Sequence, residues 1–456
     1  MLFTTEWLTT IFPDYRGAAN ERIAINEVAT DSRKTMHHSL FVPLIGEKFD
    51  GHNHIQEAIK QGAAAALWDA GKELPAFLPE DFPLFIVRDT LQALQTLAAA
   101  YRKKVNPEVI GVTGSNGKTT TKDMIASVAA LSFRTHHTKG NLNNQIGVPL
   151  TILSMPVETE VLVVEMGMNH AGEINVLSEI ARPDYGVITN IGESHIEYLG
   201  SREAIASAKL EITKGMPKDG CLIIDGDEAL LRQASTCDCV ITCGFDASND
   251  VAINNVNLTN NHTAFQLNDD EQLYTIPLLG SHHALNAAFA VTVAELLNIK
   301  KRDAKQALAS LEWTSMRFEL LTGRNGSSVI NDAYNASPTS MKAAINVVKQ
   351  MEGFKRKVLV LGDMFELGEH AETLHRSVAA SIDQSFDAVF TLGKHAAEIT
   401  LAVNTEDKID SRHFTTRETL LRAVEAYTKE GTLILFKASR GMQFESLLDQ
   451  VMKPST

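Results

Sequence analysis

Residues 111–121 read Gly-Val-Thr-Gly-Ser-Asn-Gly-Lys-Thr-Thr-Thr: an apolar strand ends in a turn of small residues that delivers a lysine, then hydroxyls, then a helix. That order suits phosphate. Gly114 and Gly117 let backbone N–H groups around Ser115 and Asn116 converge, Lys118 adds a mobile cation, and the new helix offers its positive end beside Thr119 and Thr120. Thr119 is placed to ligate a nucleotide-bound magnesium. The general nucleotide-binding loop carries glycine six residues before its lysine. Here that position is Val112, so the loop is shorter or differently bent; an ordinary glycine-rich strand-to-helix turn is the alternative.

Glu165 ends the apolar run Val-Leu-Val-Val and precedes Met-Gly-Met-Asn-His-Ala-Gly. A carboxylate at the C-terminal edge of a parallel strand lies beside such a loop and could hold magnesium, or it could cap the next helix. His195 also follows an apolar strand and faces the same edge; by residue chemistry it is equally a structural side chain. Lys209 lies on a helical pattern among Ala206, Ser207 and Ala208, where a solvated lysine is the competing reading. Four further segments have the composition of ligand loops: 139–144 with Asn141 and Asn144, 331–338 with Asp332 and Asn335, 362–368, and 437–440. Their number favours an enzyme with several substrates over a simple binding module.

These residues need a frame to hold them. The 456 residues, 44% hydrophobic and 21% charged, suggest about three domains at ~150 residues each. A formal charge of -14 argues against a nucleic-acid partner, which needs a concentrated cationic surface. No basic region precedes an apolar core at the start of the chain and no apolar run is long enough to span a bilayer, so a cytoplasmic protein without membrane insertion is expected. Cys237, Cys239 and Cys243 are close enough to suggest a metal site, yet 239–243 reads as a buried strand and no fourth ligand has zinc-like spacing. Core thiols are expected, and disulfides are not.

The pattern divides into three modules. Residues 1–84 hold short strands at 40–44 and 64–68 around a helix at 54–61. A strand at 84–87 and an amphipathic helix at 90–104 open the second module, 85–314. Strands at 161–165, 186–189 and 221–224 then alternate with helices, implying a mostly parallel sheet with helices on both faces. A polar period-two stretch at 251–276, containing Asn260 and Asn261, reads as added β-hairpin structure, and a helix at 283–297 closes the module. The third, 315–456, has strands at 329–331, 357–361, 388–392 and 432–436 separated by helices.

Taken together, these residues resemble the Mur ligases of bacterial cell-wall synthesis over essentially the whole chain. Thr-Gly-Ser-Asn-Gly-Lys-Thr is similar to that family's ATP loop, and Glu165, His195 and Lys209 fall on its magnesium ligands and its carbamylated lysine. Further likenesses are Thr30-Asp-Ser-Arg33, Gly46-Glu-Lys-Phe-Asp50, Gly140-Asn-Leu-Asn-Asn144, Asp332-Ala-Tyr-Asn-Ala336, Gly362-Asp-Met with Glu366-Leu-Gly, and Lys437 with Ser439-Arg440. Departures are His283 and Ser337, each where asparagine is usual, and Ala438 in place of glycine.

The resemblance implies an α/β protein of three domains: a small N-terminal domain for a uridine nucleotide, a central ATP-binding domain, and a Rossmann-like C-terminal domain completing the ATP and dipeptide sites. The branch it approaches joins D-alanyl-D-alanine to UDP-N-acetylmuramoyl-tripeptide at the expense of ATP, through an acyl phosphate. Two magnesium ions would be used, one on Thr119 and Glu165, the other on His195 and Lys209 as its carbamate. Asn286, Arg317 and Asp332 would contact ATP; Ser32, Arg33, Gly46 and Asp50 would lie along the uridine nucleotide. Asn141, Asn144, Asn335, Lys437, Ser439 and Arg440 would border the peptide substrates, and the chain would act as a monomer. A ligase adding a single amino acid, of Mur or folylpolyglutamate type, and a nucleotide-dependent switch are the alternatives.

Overall fold

In the computed structural model, residues 1–234, 237–259, 262–311, 316–403 and 408–452 are described. Three parallel-dominated sheets organise them, and each draws its strands from one stretch of the chain. The first orders Tyr15–Arg16, Leu84–Val87, Ala63–Asp69, Ser39–Phe41 and Glu27–Ala29, all parallel except the Tyr15–Arg16 edge. Leu84–Val87, expected to open the second module, instead pairs in register with the end of Ala63–Asp69. A four-residue apolar strand fits either neighbour, and the connection of residues 70–83 returns the chain to this sheet. The helix Thr90–Val105, capped by Asp89, then bridges to the central unit.

The central sheet runs Thr135–His137, Val161–Glu165, Glu108–Thr113, Tyr185–Ile188, Cys221–Asp225, Cys239–Gly244 and Val251–Leu258 in parallel, then adds Thr263–Leu267 and Tyr274–Ile276 antiparallel. This antiparallel extension is the hairpin structure expected from the period-two stretch, although Asn260 and Asn261 lie outside the described residues. Val161–Glu165 is buried at every position, the mark of a strand covered on both faces. Ser281–Leu296 is apolar on all sides and packs against Lys118–Ala129, so the helix that follows the phosphate loop is itself backed by a buried helix.

The third sheet orders Glu319–Thr322, Ser328–Asp332, Thr432–Lys437, Arg356–Gly362, Ala388–Leu392 and Asp410–Phe414, with only Glu319–Thr322 antiparallel. The two edge strands escaped the sequence reading because they are short and half-exposed, with no apolar run to mark them. Residue 315, at which this module was expected to begin, is outside the described set.

One expectation about cysteine is corrected. Cys221 and Cys239 are register partners on adjacent parallel strands, with Cα atoms 4.7 Å apart, and form a disulfide. Strand register, invisible in the spacing, brings them together. Of the strand Cys239–Gly244, only the Cys243 end is fully buried; burial pushes that thiol up to about 12. Among the described residues no group of His, Cys, Asp or Glu has metal-site geometry, and no helix is long and apolar enough to cross a membrane.

Candidate active site

The C-terminal edges of the central and third sheets face one another across a cavity of about 570 Å³. On the central side, the strand Glu108–Thr113 runs into residues 114–117 and the helix Lys118–Ala129. Gly114 has φ +144, and a Cβ there would sit 1.9 Å from Thr189 Oγ1; Gly117 has φ +80 and lies against Asn286. Both positions therefore need glycine. The turn is held by its neighbour strand: Thr189 Oγ1 and Asn190 Nδ2 donate to the Asn116 carbonyl at 2.6 and 3.0 Å, and Gly192 N donates to Ser115 Oγ at 2.9 Å.

Strand register places the carboxylate. Glu165 is paired with Val112, so its side chain emerges beside the loop. It is buried, accepts from Thr119 Oγ1 and from Asn143 Nδ2 at 2.8 Å each, and lines the cavity with both. Lys118 Nζ folds back onto the carbonyls of Gly114 and Ser115 at 2.7 and 3.3 Å. Burial lowers its pKa, and the nearby Glu165 carboxylate opposes that shift.

His195 takes a left-handed φ of 66 at the start of the helix Ile196–Leu199 and reaches the cavity. Its Nδ1 lies 2.5 Å from Glu366 Oε2. Lys209, on the helix Arg202–Leu210, is 1% exposed and is not among the residues that line the cavity. Burial first, and the charge of Lys118 second, push its amine well below the ordinary range. The reading of a solvated helical lysine is overturned by this burial.

The third sheet contributes the opposite wall. Arg317 Nη2 donates to Thr119 Oγ1 at 2.9 Å while its guanidinium stacks 4.3 Å over Tyr334, a direct bridge between the two units. Asp332 Oδ2 accepts from Lys437 Nζ at 2.6 Å, and the same ammonium donates to Asn335 O at 3.1 Å. All three line the cavity. Ser337 caps the helix Pro338–Gln350 and donates from Oγ to Asn116 Oδ1 at 2.9 Å, so this departure from the family pattern ties the third unit to the phosphate loop.

At the apolar end, His282 and His283 lie near Leu278 and Phe318, and Asn286 Nδ2 is 3.4 Å from His283 Nδ1. Burial holds both imidazoles neutral, His282 at about 4 and His283 well below its ordinary value. Asn141, Asn144 and Thr120 also line the cavity, and Asn144 Oδ1 accepts from Gly147 N at 2.9 Å at the start of the next helix.

Other expected residues lie elsewhere. Ser439 sits below the surface, its Oγ accepting from Phe365 N at 2.9 Å; Arg440 pairs with Glu445 at 3.2 Å. In the first module, Arg33 makes a two-point contact with Asp31 at 2.8 and 2.9 Å, and Asp50 accepts from His52 Nδ1 at 2.7 Å and Lys72 Nζ at 2.6 Å. Ser32, Arg33, Gly46 and Asp50 form no part of the cavity wall. Asn143, Tyr334 and Glu366 were not singled out as site residues, although each belongs to a segment marked as a ligand loop; choosing the inward side chain required the fold.

A glycine-lysine loop of phosphate-binding composition with an acidic partner, faced by a second α/β unit across one cavity, is the arrangement of a nucleotide-dependent enzyme. Residues 112–294 match the Mur ligase middle domain, 316–440 the Mur ligase glutamate ligase domain and 24–117 the Mur ligase family catalytic domain. The chain belongs to the Mur ligase family, and it is a ligase.

Over 435 residues it is 48% identical to the UDP-N-acetylmuramoyl-tripeptide--D-alanyl-D-alanine ligase of Bacillus subtilis, covering 95% of this chain and 94% of that one. Among solved structures it is similar to MurF from Acinetobacter baumannii, with TM-score 0.87, 29% identity and coverage of 99% and 98%. It is also similar to the MurF ligase of Thermotoga maritima in complex with ADP, with TM-score 0.81, 27% identity and coverage of 95% and 98%.

Proposed function

We infer that this chain joins D-alanyl-D-alanine to UDP-N-acetylmuramoyl-tripeptide in an ATP-dependent reaction of peptidoglycan synthesis. The observation that carries this is near-full-length identity to ligases of that activity, combined with a phosphate loop and a second α/β unit around one cavity. In this reading the enzyme works in the cytoplasm as a monomer, with domains divided near residues 84 and 314. The pairing of Leu84–Val87 with the first sheet supports moving the earlier boundary a few residues later.

Chemically, the substrate carboxylate attacks the γ-phosphate of ATP, ADP leaves, and the resulting acyl phosphate is captured by the dipeptide amine with loss of phosphate. Lys118 and the loop N–H groups offset charge spread over the phosphate oxygens. Arg317, already at Thr119, can follow the same charge from the opposite wall. Asn286 and Asp332 flank the nucleotide, and Asn141, Asn144, Asn335 and Lys437 border the peptide side. Ser439 acts on that side through the loop it supports, Arg440 borders the same side, and Ser32, Arg33, Gly46 and Asp50 meet the uridine nucleotide. Docking of the two units excludes water from the acyl phosphate.

The Thr119 hydroxyl and Glu165 carboxylate, 2.8 Å apart and aimed into the cavity, are hard oxygen donors suited to magnesium. A bound magnesium would neutralise phosphate charge and bring two anions together. His195 would hold a second ion with Lys209. An ammonium cannot ligate, so Lys209 fits only as an anion. Its buried amine, with pKa pushed down and no hydrogen bond among the described residues, is suited to react with CO2 and become a carbamate.

Two measurements test the reading. ADP release should couple to D-alanyl-D-alanine with a UDP-tripeptide; release with a single amino acid instead would reject the substrate assignment. Lys209→Ala should abolish turnover while leaving nucleotide affinity near wild type, with partial recovery on adding a short-chain carboxylic acid. Turnover unchanged by the substitution would reject the carbamate.

A further inference from the structure

The His195 backbone is anchored in its own module, its carbonyl accepting from Tyr198 N at 3.1 Å and Leu199 N at 3.2 Å, but the ring is not. Its side chain makes no hydrogen bond within the central unit among the described residues, and its backbone sits at φ 66, a region that costs a non-glycine residue about 1–2 kcal/mol. The group against its ring comes from the third unit: Glu366 Oε2, 2.5 Å from Nδ1.

Glu366 is itself fixed from several directions. It too is left-handed, at φ 63, and its carbonyl accepts from Glu197 N at 3.2 Å. Two residues on, Gly368 (φ +52) lies so close to Glu197 that a Cβ would stand 3.1 Å from Glu197 Cγ. Behind it, Asp363 accepts from the backbone of Lys394, His395 and Ala396 at 2.7–2.9 Å, and Ser439 Oγ receives Phe365 N at 2.9 Å. The loop 363–368 is therefore a braced arm that crosses the boundary between units and ends on the histidine.

We propose that Glu366 is a positioning residue. It sets the His195 imidazole only when the C-terminal unit is docked, so that the central unit's second metal ligand is completed by the unit that carries the dipeptide side. The physical reason is rotameric: an imidazole with no partner on its own module can turn about χ1 and χ2, whereas a carboxylate from a braced loop selects one orientation. Because Ser439 grips the residue next to Glu366, engagement on the dipeptide side is mechanically linked to the metal ligand. The inference rests on the assignment of His195 to a metal in the proposed function.

The test uses the full-length protein with a non-hydrolysable β,γ-imido analogue of ATP, UDP-tripeptide and Mn2+, titrated by electron paramagnetic resonance. Wild type should bind two Mn2+ ions. Glu366→Ala should weaken one of them about tenfold, leave the other and the nucleotide affinity unchanged, and lower kcat with little change in KM for ATP. Glu366→Gln keeps the side-chain shape and the loop, and should show the same pattern in smaller measure. In a His195→Ala background, Glu366→Ala should cost nothing further. If His195→Ala leaves both Mn2+ sites intact, the metal assignment of the histidine fails. If His195→Ala loses a site and the Glu366 variants do not weaken it, or if Glu366→Ala lowers kcat as much without His195 as with it, the positioning role is overturned while the metal assignment stands.

Discussion

Asp225 should make the protein less stable at neutral pH than at mildly acidic pH. It ends the strand Cys221–Asp225, where burial raises its pKa from 3.8 to about 7; the nearby Asp227 and Glu228 charges add to the shift, and the N–H groups of Asp227 and Glu228 oppose it. The folded state thus keeps a proton on this carboxyl between about pH 4 and pH 7, where the unfolded chain has released it. Protons bound in excess by the folded state mean that stability falls as pH rises through that window, and is flat above it. At 1.36 kcal/mol per pH unit, the interval from 3.8 to about 7 corresponds to at most about 4 kcal/mol. Residual solvent contact makes about 2 kcal/mol the expected size.

Asp225→Asn keeps an acceptor for Asp227 N, which lies 3.0 Å from Oδ1, and carries no charge. Urea unfolding of wild type and variant at pH 4, 5, 6, 7 and 8 should give stabilities that converge near pH 4, separate progressively between about pH 4 and pH 7, and run level beyond it, the variant being the more stable by about 2 kcal/mol at pH 8. The difference between the two proteins cancels the other groups that titrate in this range. Parallel stability profiles, or a variant less stable at pH 8, would refute the assignment of a buried, proton-retaining carboxyl.

Three further outcomes follow from particular contacts. Asn143→Ala removes a donor from the buried Glu165 carboxylate, a charged hydrogen bond of ~1.5–3 kcal/mol, and should raise the Mg2+ concentration needed for half-maximal ADP release about tenfold; an unchanged Mg2+ curve would reject its supporting role. Ser337→Ala removes both a helix cap, ~1 kcal/mol, and the bond to Asn116, ~1 kcal/mol, so calorimetry should show a Tm lower by several degrees while KM for ATP rises several-fold; a stability loss with no change in KM would confine it to the cap. Cys221→Ser opens a link between residues 18 apart and should cost about 3 kcal/mol in oxidising buffer, the same loss that a reductant should impose on wild type; stability indifferent to reductant would show that the thiols are not joined in solution.

Much of the site's chemistry was legible in the chain itself, because local order dictates it. An apolar strand, two glycines, Lys118 and Thr119 in that order suit a phosphate loop, and Glu165 at the end of a fully apolar strand could be read as facing a ligand edge. The alternation of strands and helices likewise announced parallel sheets. What was not legible depends on pairing between distant segments. Leu84–Val87 had no local sign of which sheet it would join, and Cys221 and Cys239 became neighbours only through register.

Lys209 shows the division most plainly. Its sequence surroundings could not separate a solvated lysine from a functional one, because a helix pattern does not say what packs over it; the tertiary structure buries the amine near Lys118 and pushes down its pKa. Glu366 and His195, 171 positions apart in the chain (366 − 195), meet only because two separately built sheets turn their C-terminal edges toward each other. Residue type and local spacing determined which groups could do chemistry. Burial, register and docking, which depend on contacts between residues far apart in sequence, decided which of them do it together.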